Sequence, residues 1–315
     1  MWQSIVQIAP YAVGYAMPLL ITALGGLYSE RSGIINIGLE GLMVIGSYLA
    51  CLTVRFLAPS IGYIPAAWLG VLLAMGAGAI FSLLHAFASI TLNADQTISG
   101  IAINLLATAL VVYTSRKFIG TSNLVINSMT RVDIPLLEDI PFIGELFFRD
   151  TYPTTWLIIA VLGISAYVIA KTPFGLRLRA CGEYPEAAEA GGVNVAKMRY
   201  TGVLLSGICA GMGGGVYTLT VAGQCNGSVA GLGFLAIAAL IFGQWRTGGI
   251  LLSTLFFGFA LTLAQVSQLI PSLAMMPPLT LKLFPYVVTL ITLVLFSKSS
   301  RAPRAEGKYF DYRKS

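Results

Sequence analysis

The stretch Thr172-PFGLRLRACGEYPEAAEAGGVNVAKMRY-Thr201 is a thirty-residue polar island between two apolar runs of membrane length. Arg177, Arg179, Lys197 and Arg199, with Lys171 just before them, crowd together with Glu183, Glu186 and Glu189, in a chain that otherwise avoids charge. Only 10% of the 315 residues are charged and 57% are hydrophobic, with a mean hydropathy of +0.82. A soluble domain carries roughly a quarter charged residues. The flanking runs, at about twenty residues each, can cross a hydrocarbon core of ~30 Å and lack the alternation of barrel strands. Composition therefore predicts an all-α, polytopic transmembrane helical bundle.

Working outward from the island, hydropathy places nine spans, with eight to ten as the range, near residues 9–28, 34–54, 63–89, 97–115, 154–171, 199–220, 230–245, 248–270 and 284–297. The first run has neither a basic leader nor a small-residue cleavage site before it, so it reads as a retained span rather than a signal peptide. With the island and the C-terminus on one side, that side collects thirteen of the nineteen Lys and Arg residues. Basic residues favour the cytoplasmic side, which puts the N-terminus outside and the C-terminus inside. The same bias explains the net charge of +6 without a nucleic-acid partner.

Residues 1–298 form the transmembrane domain. Residues 172–198 are its main cytoplasmic loop, and residues 299–315 are a basic cytoplasmic tail, most simply a disordered anchor beside anionic membrane lipid. The connection 116–153 is extracytoplasmic; with Pro135, Pro141 and Phe147-Phe148, it is either a short amphipathic element on the membrane surface or an ordinary long loop.

Enzyme motifs are missing. There is no GxxxxGK[ST], HExxH or GxSxG, and Gly211-MGGG-Val216 is glycine-rich without a lysine to reach a phosphate. No catalytic residue is assigned, and the chain carries no ATP site of its own. The four cysteines are scattered without a CxxC pair and read as small packing residues, with no metal site. The single histidine, His85, sits in an apolar run and reads as a hydrogen-bonded packing residue.

Two patterns inside the spans carry information. Gly207, Gly211 and Gly215 recur at i+4, and Ala74-MGA-Gly78 offers a smaller version; such stripes let helices approach closely in lipid. Polar groups form the second pattern. In Gly33-IINIGLEG-Leu42, Asn36 and Glu40 are expected on one helical face, and an ionisable group in a span faces protein or water rather than lipid. A network joining Glu40 to Arg31 or a neighbouring helix is placed ahead of direct solute contact. Asn104, Gln224 and Asn226 are further candidates: uncharged amides can line a path for a polar solute or pin helices together.

The island has helix punctuation of its own. Pro185 suits the first position of a short helix, Glu186 and Glu189 complement its N-terminal dipole, Gly191-Gly192 ends it, and Asn194 caps the next span. A short surface helix held between two spans is the result.

Three blocks, Ala23-LGGLYSERSGIINIGLEGL-Met43, Leu92-NADQTISGIAI-Asn104 and Phe174-GLRLRACGEYPEAAEAGGVN-Val195, together resemble the inner-membrane permease subunits of bacterial ATP-binding-cassette importers. The branch resembled is the nucleoside and simple-sugar group, related to ribose and branched-chain amino acid permeases. The resemblance implies a bacterial inner-membrane protein working with a second, non-identical permease, a cytoplasmic ATPase that holds ATP and magnesium, and an extracytoplasmic binding lipoprotein. It also implies that Glu183 to Gly192 is the coupling helix, flanked by Arg177, Arg179 and Lys197. Nucleosides are the leading cargo, ribose-like sugars and riboflavin the alternatives; a secondary transporter is the competing class, disfavoured by the lack of an inverted repeat.

Overall fold

A computed structural model describes residues 2–134, 147–266 and 302–310, together with residues 138, 140, 144, 283 and 287. Its helices are α1 (Trp2–Arg31), α2 (Leu39–Ile61), α3 (Tyr63–Ala86), α4 (Gln96–Ile119), α5 (Pro153–Lys171), α6 (Pro173–Glu183), α7 (Pro185–Ala190), α8 (Val195–Tyr217), α9 (Leu232–Phe242) and α10 (Thr247–Val266). Single π turns extend α3 through Thr91 and α8 through Ala222. Two short strands, β1 (Leu124–Val125) and β2 (Gln224–Cys225), pair antiparallel at the end of the bundle opposite the island.

Among the described residues seven helices are long and apolar enough to cross a membrane: α1 to α5, α8 and α10. The chain is a polytopic helical membrane protein, as composition predicts. The span expected at 284–297, and much of the 135–146 part of the connection read as either an amphipathic element or an ordinary loop, lie outside the described residues.

α8 is the centre of the bundle, packed on α1, α2 and α3. Its glycines explain how one helix touches three. A Cβ on Gly207 would overlap the Gly78 carbonyl of α3, one on Gly211 would overlap Ala74 O, and one on Gly215 would come within 2.9 Å of Ala74 Cβ. The i+4 glycine stripe of α8 thus lies directly on the Ala74–Gly78 stripe of α3. Gly213 instead faces Pro18 and Thr22 of α1, and Gly214 faces Met43 of α2. Without Cβ atoms the backbones approach to van der Waals contact, which is how helices associate where no hydrophobic effect drives them. Leu72, Ile80, Ile98 and Leu105 of α3 and α4 stay exposed on the outside of this core.

The second span departs from expectation. α2 begins at Leu39 rather than near residue 34, because the chain reverses at Gly33 (φ +97°) with Ile34 N bonded back to Ser29 O. Residues 34–38 are irregular, so Asn36 does not share a helical face with Glu40 as the spacing predicts. Side chains from α4 and from the segment itself satisfy this backbone: Gln96 Oε1 accepts from Ile35 N (2.7 Å), Asn36 Oδ1 from Gly38 N (3.1 Å), and Asn104 Nδ2 donates to Ile37 O (3.0 Å). Non-helical backbone at membrane depth survives only when protein supplies its partners.

The span expected at 230–245 also changes character. α9 has eleven residues, about 16 Å of rise, half of a hydrocarbon core. The other half is the irregular segment 223–231. Its upper end is fixed where Cys225 pairs with Leu124, whose carbonyl accepts from Cys51 Sγ (3.5 Å); its lower end is fixed where Gly231 N reaches Glu40. Cys51 and Glu40 are eleven residues apart on α2, again about 16 Å along the axis. Irregular segment and short helix together match the length of one crossing, whereas hydropathy placed the span at 230–245 and left the irregular segment outside it.

The tail is the third departure. Residues 302–310 are not a free anchor but lie against the island end: Ala305 N donates to Gly182 O (2.8 Å), Gly307 N to Gly33 O (3.1 Å), and Phe310 is buried.

Candidate functional site

Two places concentrate the polar residues that the sequence singles out. The first is the island. Thr172 caps α6, its Oγ1 accepting from Gly175 N (3.2 Å), with Pro173 at the first helical position. The sequence missed α6 itself, although this threonine–proline pair is a start signal of the same kind as Tyr184-Pro185. α7 follows after one residue, with Pro185 at its first position and Glu186 in its first turn. Gly192, at φ +80°, turns the chain out, and Val193 N closes the end on Ala188 O (3.0 Å). Asn194 Oδ1 then accepts from Lys197 N (2.8 Å) and starts α8.

α7 is therefore a six-residue element, Pro185–Ala190, narrower than the Glu183–Gly192 expected. It is held at both ends by helices that run into the bundle. Pro185 and Ala188 are buried, whereas Glu186, Ala187, Ala190, Gly191 and Gly192 are exposed and Glu189 is half-buried. Arg177 is exposed on α6; Arg179 is half-buried, with Nε donating to Gly175 O (3.3 Å). Glu183 sits at the end of α6, 3.8 Å from Arg31 Nη1. Arg31 Nη2 in turn donates to Trp245 O (2.7 Å), just beyond α9. The surface helix is thereby wired, through one arginine, to the broken crossing.

That broken crossing is the second place. Exposure alternates along it: Gln224, Asn226, Ser228 and Ala230 are open, while Cys225, Gly227 and Val229 are buried. Gln224 Oε1 accepts from Asn123 Nδ2 (3.2 Å); Asn226 Oδ1 accepts from Ser228 N (3.2 Å) and Ser228 Oγ from Ala230 N (3.1 Å). The result is a polar, exposed edge that runs from the strand end to the start of α9. Glu40 takes both N–H groups there, from Gly231 (3.0 Å) and Gly233 (2.7 Å). Of the two partners expected, Arg31 or a neighbouring helix, it takes the second: the N-terminus of α9, a carboxyl set at the positive end of a helix dipole.

The other candidates are placed apart from this edge. Asn36 is buried, its Nδ2 donating to Ser206 Oγ of α8 (2.9 Å). Asn104 Oδ1 accepts from Gly41 N (2.7 Å). His85 is buried with ring nitrogens 3.0 Å from Ser99 Oγ and from Ile35 O. All three hold the irregular 34–38 segment or the start of α2.

A cavity of about 270 Å³ that the sequence did not flag opens at the strand end, lined by Tyr11, Tyr15, Arg131, Tyr152, Thr220 and Gln265. Arg131 lies over the Tyr11 ring at 4.2 Å and bonds Asp150 at 2.6 Å. Its residues come from three spans and a loop, so no local pattern joins them. Among the described residues no group of three or more His, Cys, Asp or Glu is placed to hold a metal ion.

The chain is 45% identical over 303 residues to the guanosine ABC transporter permease protein NupQ of Bacillus subtilis, covering 95% of each. It is 42% identical over 295 residues to the nucleoside ABC transporter permease protein NupC of Lactococcus lactis, covering 93% of each. A more distant relative, the guanosine ABC transporter permease protein NupP of Bacillus subtilis, is 26% identical over 265 residues, 81% of this chain and 71% of that one. Residues 9–293, which include every crossing described above, match the family described as "Branched-chain amino acid transport system / permease component", and the chain belongs to that family of multi-pass membrane permeases.

Proposed function

We propose that this chain is one of two non-identical permease subunits of an ATP-driven importer for nucleosides, in a bacterial inner membrane. The observation that carries the cargo is the similarity over nearly the whole chain to two permeases named for guanosine and for nucleosides. Bacillus subtilis has two such permeases named for guanosine, one similar to this chain at 45% and the other at 26%, which supports a paired, unequal partner.

The polar edge from Gln224 to Ser228 suits a hydroxylated, uncharged solute, since amides and a hydroxyl can exchange hydrogen bonds with sugar and base alike. α7, exposed through Glu186 and Ala187 and anchored through Pro185 and Ala188, is the docking element for a cytoplasmic ATPase, which holds ATP and magnesium. In this orientation the island, the 29–38 turn and the tail face the cytoplasm, and the strand end faces an extracytoplasmic binding lipoprotein.

Proteoliposomes holding this chain, its second permease, the ATPase and the binding protein test the proposal directly. ATP-dependent guanosine uptake that other nucleosides compete and that ribose and riboflavin do not is the expected result. Uptake of ribose or riboflavin unaffected by nucleosides would refute the cargo. The double variant Glu186→Lys, Gly191→Pro should insert normally yet release the ATPase; retained ATPase would refute the docking role of α7.

A further inference from the structure

The tail touches the end of α1, the reversal after it, and α6 to α8 at once. Ala305 N bonds to Gly182 O at the end of α6, and Gly307 N bonds to Gly33 O at the reversal between α1 and α2. Between them Arg304 reaches the coupling region: its backbone N–H lies 3.4 Å from Glu183 Oε2, and its guanidinium bonds Tyr184 Oη. Beyond them Phe310 enters a small apolar cluster with Cys181 of α6, Ala188 of α7 and Val195 of α8. The Arg199 guanidinium lies over the Phe310 ring at 5.6 Å. One short segment thus contacts the end of α6, α7 and the start of α8.

The central contact is a carboxyl pair. Glu306 shares a hydrogen bond with the buried Glu30, whose Oε2 accepts from Trp245 Nε1 (2.5 Å). Burial raises Glu306 above the ordinary glutamate range, against the lowering effects of Glu30 and Arg31. Trp245 is also the residue whose carbonyl holds Arg31, and Arg31 faces Glu183. The tail therefore closes the knot that joins α7 to α9.

We propose that residues 302–310 are a strap that positions α6 and α7 against the Glu30–Arg31–Trp245 knot, so that movement of the docking helix is delivered to the broken crossing. A loose α7, tethered only by its flanking turns, would absorb an ATPase's movement locally; an α7 clamped by Phe310 and Gly182 moves as one body with the ends of α1 and α9. The strap is a positioning element and needs no contact with ATP or solute. The inference rests on α7 being the ATPase-docking element.

The test uses the complete importer in proteoliposomes, with the chain ended after Arg301 or carrying Phe310→Ala. ATPase retention, ATP hydrolysis and guanosine uptake are measured together. The expected outcome is retained ATPase and continuing hydrolysis, with guanosine taken up per ATP falling by at least about fivefold, the scale of a typical coupling between sites, and with Phe310→Tyr restoring it. Unchanged uptake per ATP would overturn the strap. Release of the ATPase would also overturn it, by making the tail part of the docking surface. If the shortened chain does not fold, Phe310→Ala decides by the same criteria. The docking premise is judged separately: should Glu186→Lys, Gly191→Pro keep its ATPase, the docking assignment fails, whatever the tail variants do.

Discussion

Replacing Glu40 separates a structural carboxyl from a solute-binding one. Its two oxygens accept from Gly231 N at 3.0 Å and Gly233 N at 2.7 Å, the first N–H groups of α9. A hydrogen bond to a charged partner contributes about 1.5–3 kcal/mol, and a carboxylate at a helix N-terminus about 0.3–1 kcal/mol more. Glu40→Ala removes both bonds and the dipole term, an upper limit of about 7 kcal/mol; Ser228 and Ala230 beside it are open, so water recovers part, and about 2–4 kcal/mol is expected. Glu40→Gln keeps one acceptor but turns an NH2 toward the second N–H, and should cost about 1.5–3 kcal/mol. Unfolding of the purified permease by SDS in mixed micelles measures these costs, and uptake kinetics on the assembled importer measure the consequence. The structural role predicts a graded loss of stability, Ala worse than Gln, with uptake falling alongside. If both variants unfold like the parent while KM for guanosine rises many-fold, Glu40 binds the solute and the assignment to α9 is wrong.

Two further outcomes follow from the island end. Gly191 has φ −81° and room for a Cβ, its nearest neighbour being 3.4 Å away, whereas Gly192 has φ +80°. Gly191→Ala should therefore change little, while Gly192→Ala costs about 1–2 kcal/mol and weakens ATPase binding on the order of tenfold; pull-down titration with the ATPase distinguishes them, and equal effects would contradict the helix end described here. Glu306 gives a pH dependence. Its docked value is raised by burial, so docking takes up a proton: the stabilisation is complete below the ordinary glutamate value and is lost as pH rises through the raised one. The groups facing it are Glu30 and Arg31, with Glu183 and Arg179 next to Arg31. A spin label on Lys308→Cys should become less mobile as pH falls from about 8 toward the glutamate range, and Glu306→Gln should make it immobile throughout; a pH response surviving that substitution would exclude Glu306 as its source.

How much of this was legible beforehand depended on the range of the interaction. Punctuation that acts within a turn read correctly: Pro185 starts α7, Gly192 ends it and Asn194 caps α8, because proline, glycine and asparagine act on their own backbone. The stripes on α3 and α8 were visible as spacing, but that they meet each other, while Gly213 and Gly214 serve α1 and α2, was not. The broken crossing was missed because the polar residues 223–229 read as a connection before the span expected at 230–245, and hydropathy cannot tell that an irregular segment is packed within the bundle. For Glu40 the spacing left Arg31 and a neighbouring helix open, because sequence cannot show a backbone N–H 191 residues away.

By itself, then, the sequence determined the solvent and the bookkeeping: apolar runs must cross lipid, backbone in lipid must be helical or satisfied by protein, and a polar island between two spans must stand outside. Those consequences follow from transfer free energies that each segment carries alone. Only the tertiary structure decided which irregular segments are tolerated inside the bundle, what Glu40 holds, and that a tail rich in charge is docked on the island through Ala305, Gly307 and Phe310. Those features rest on single hydrogen bonds and on small apolar contacts between residues far apart in the chain. Their partners exist only once the helices have been brought together.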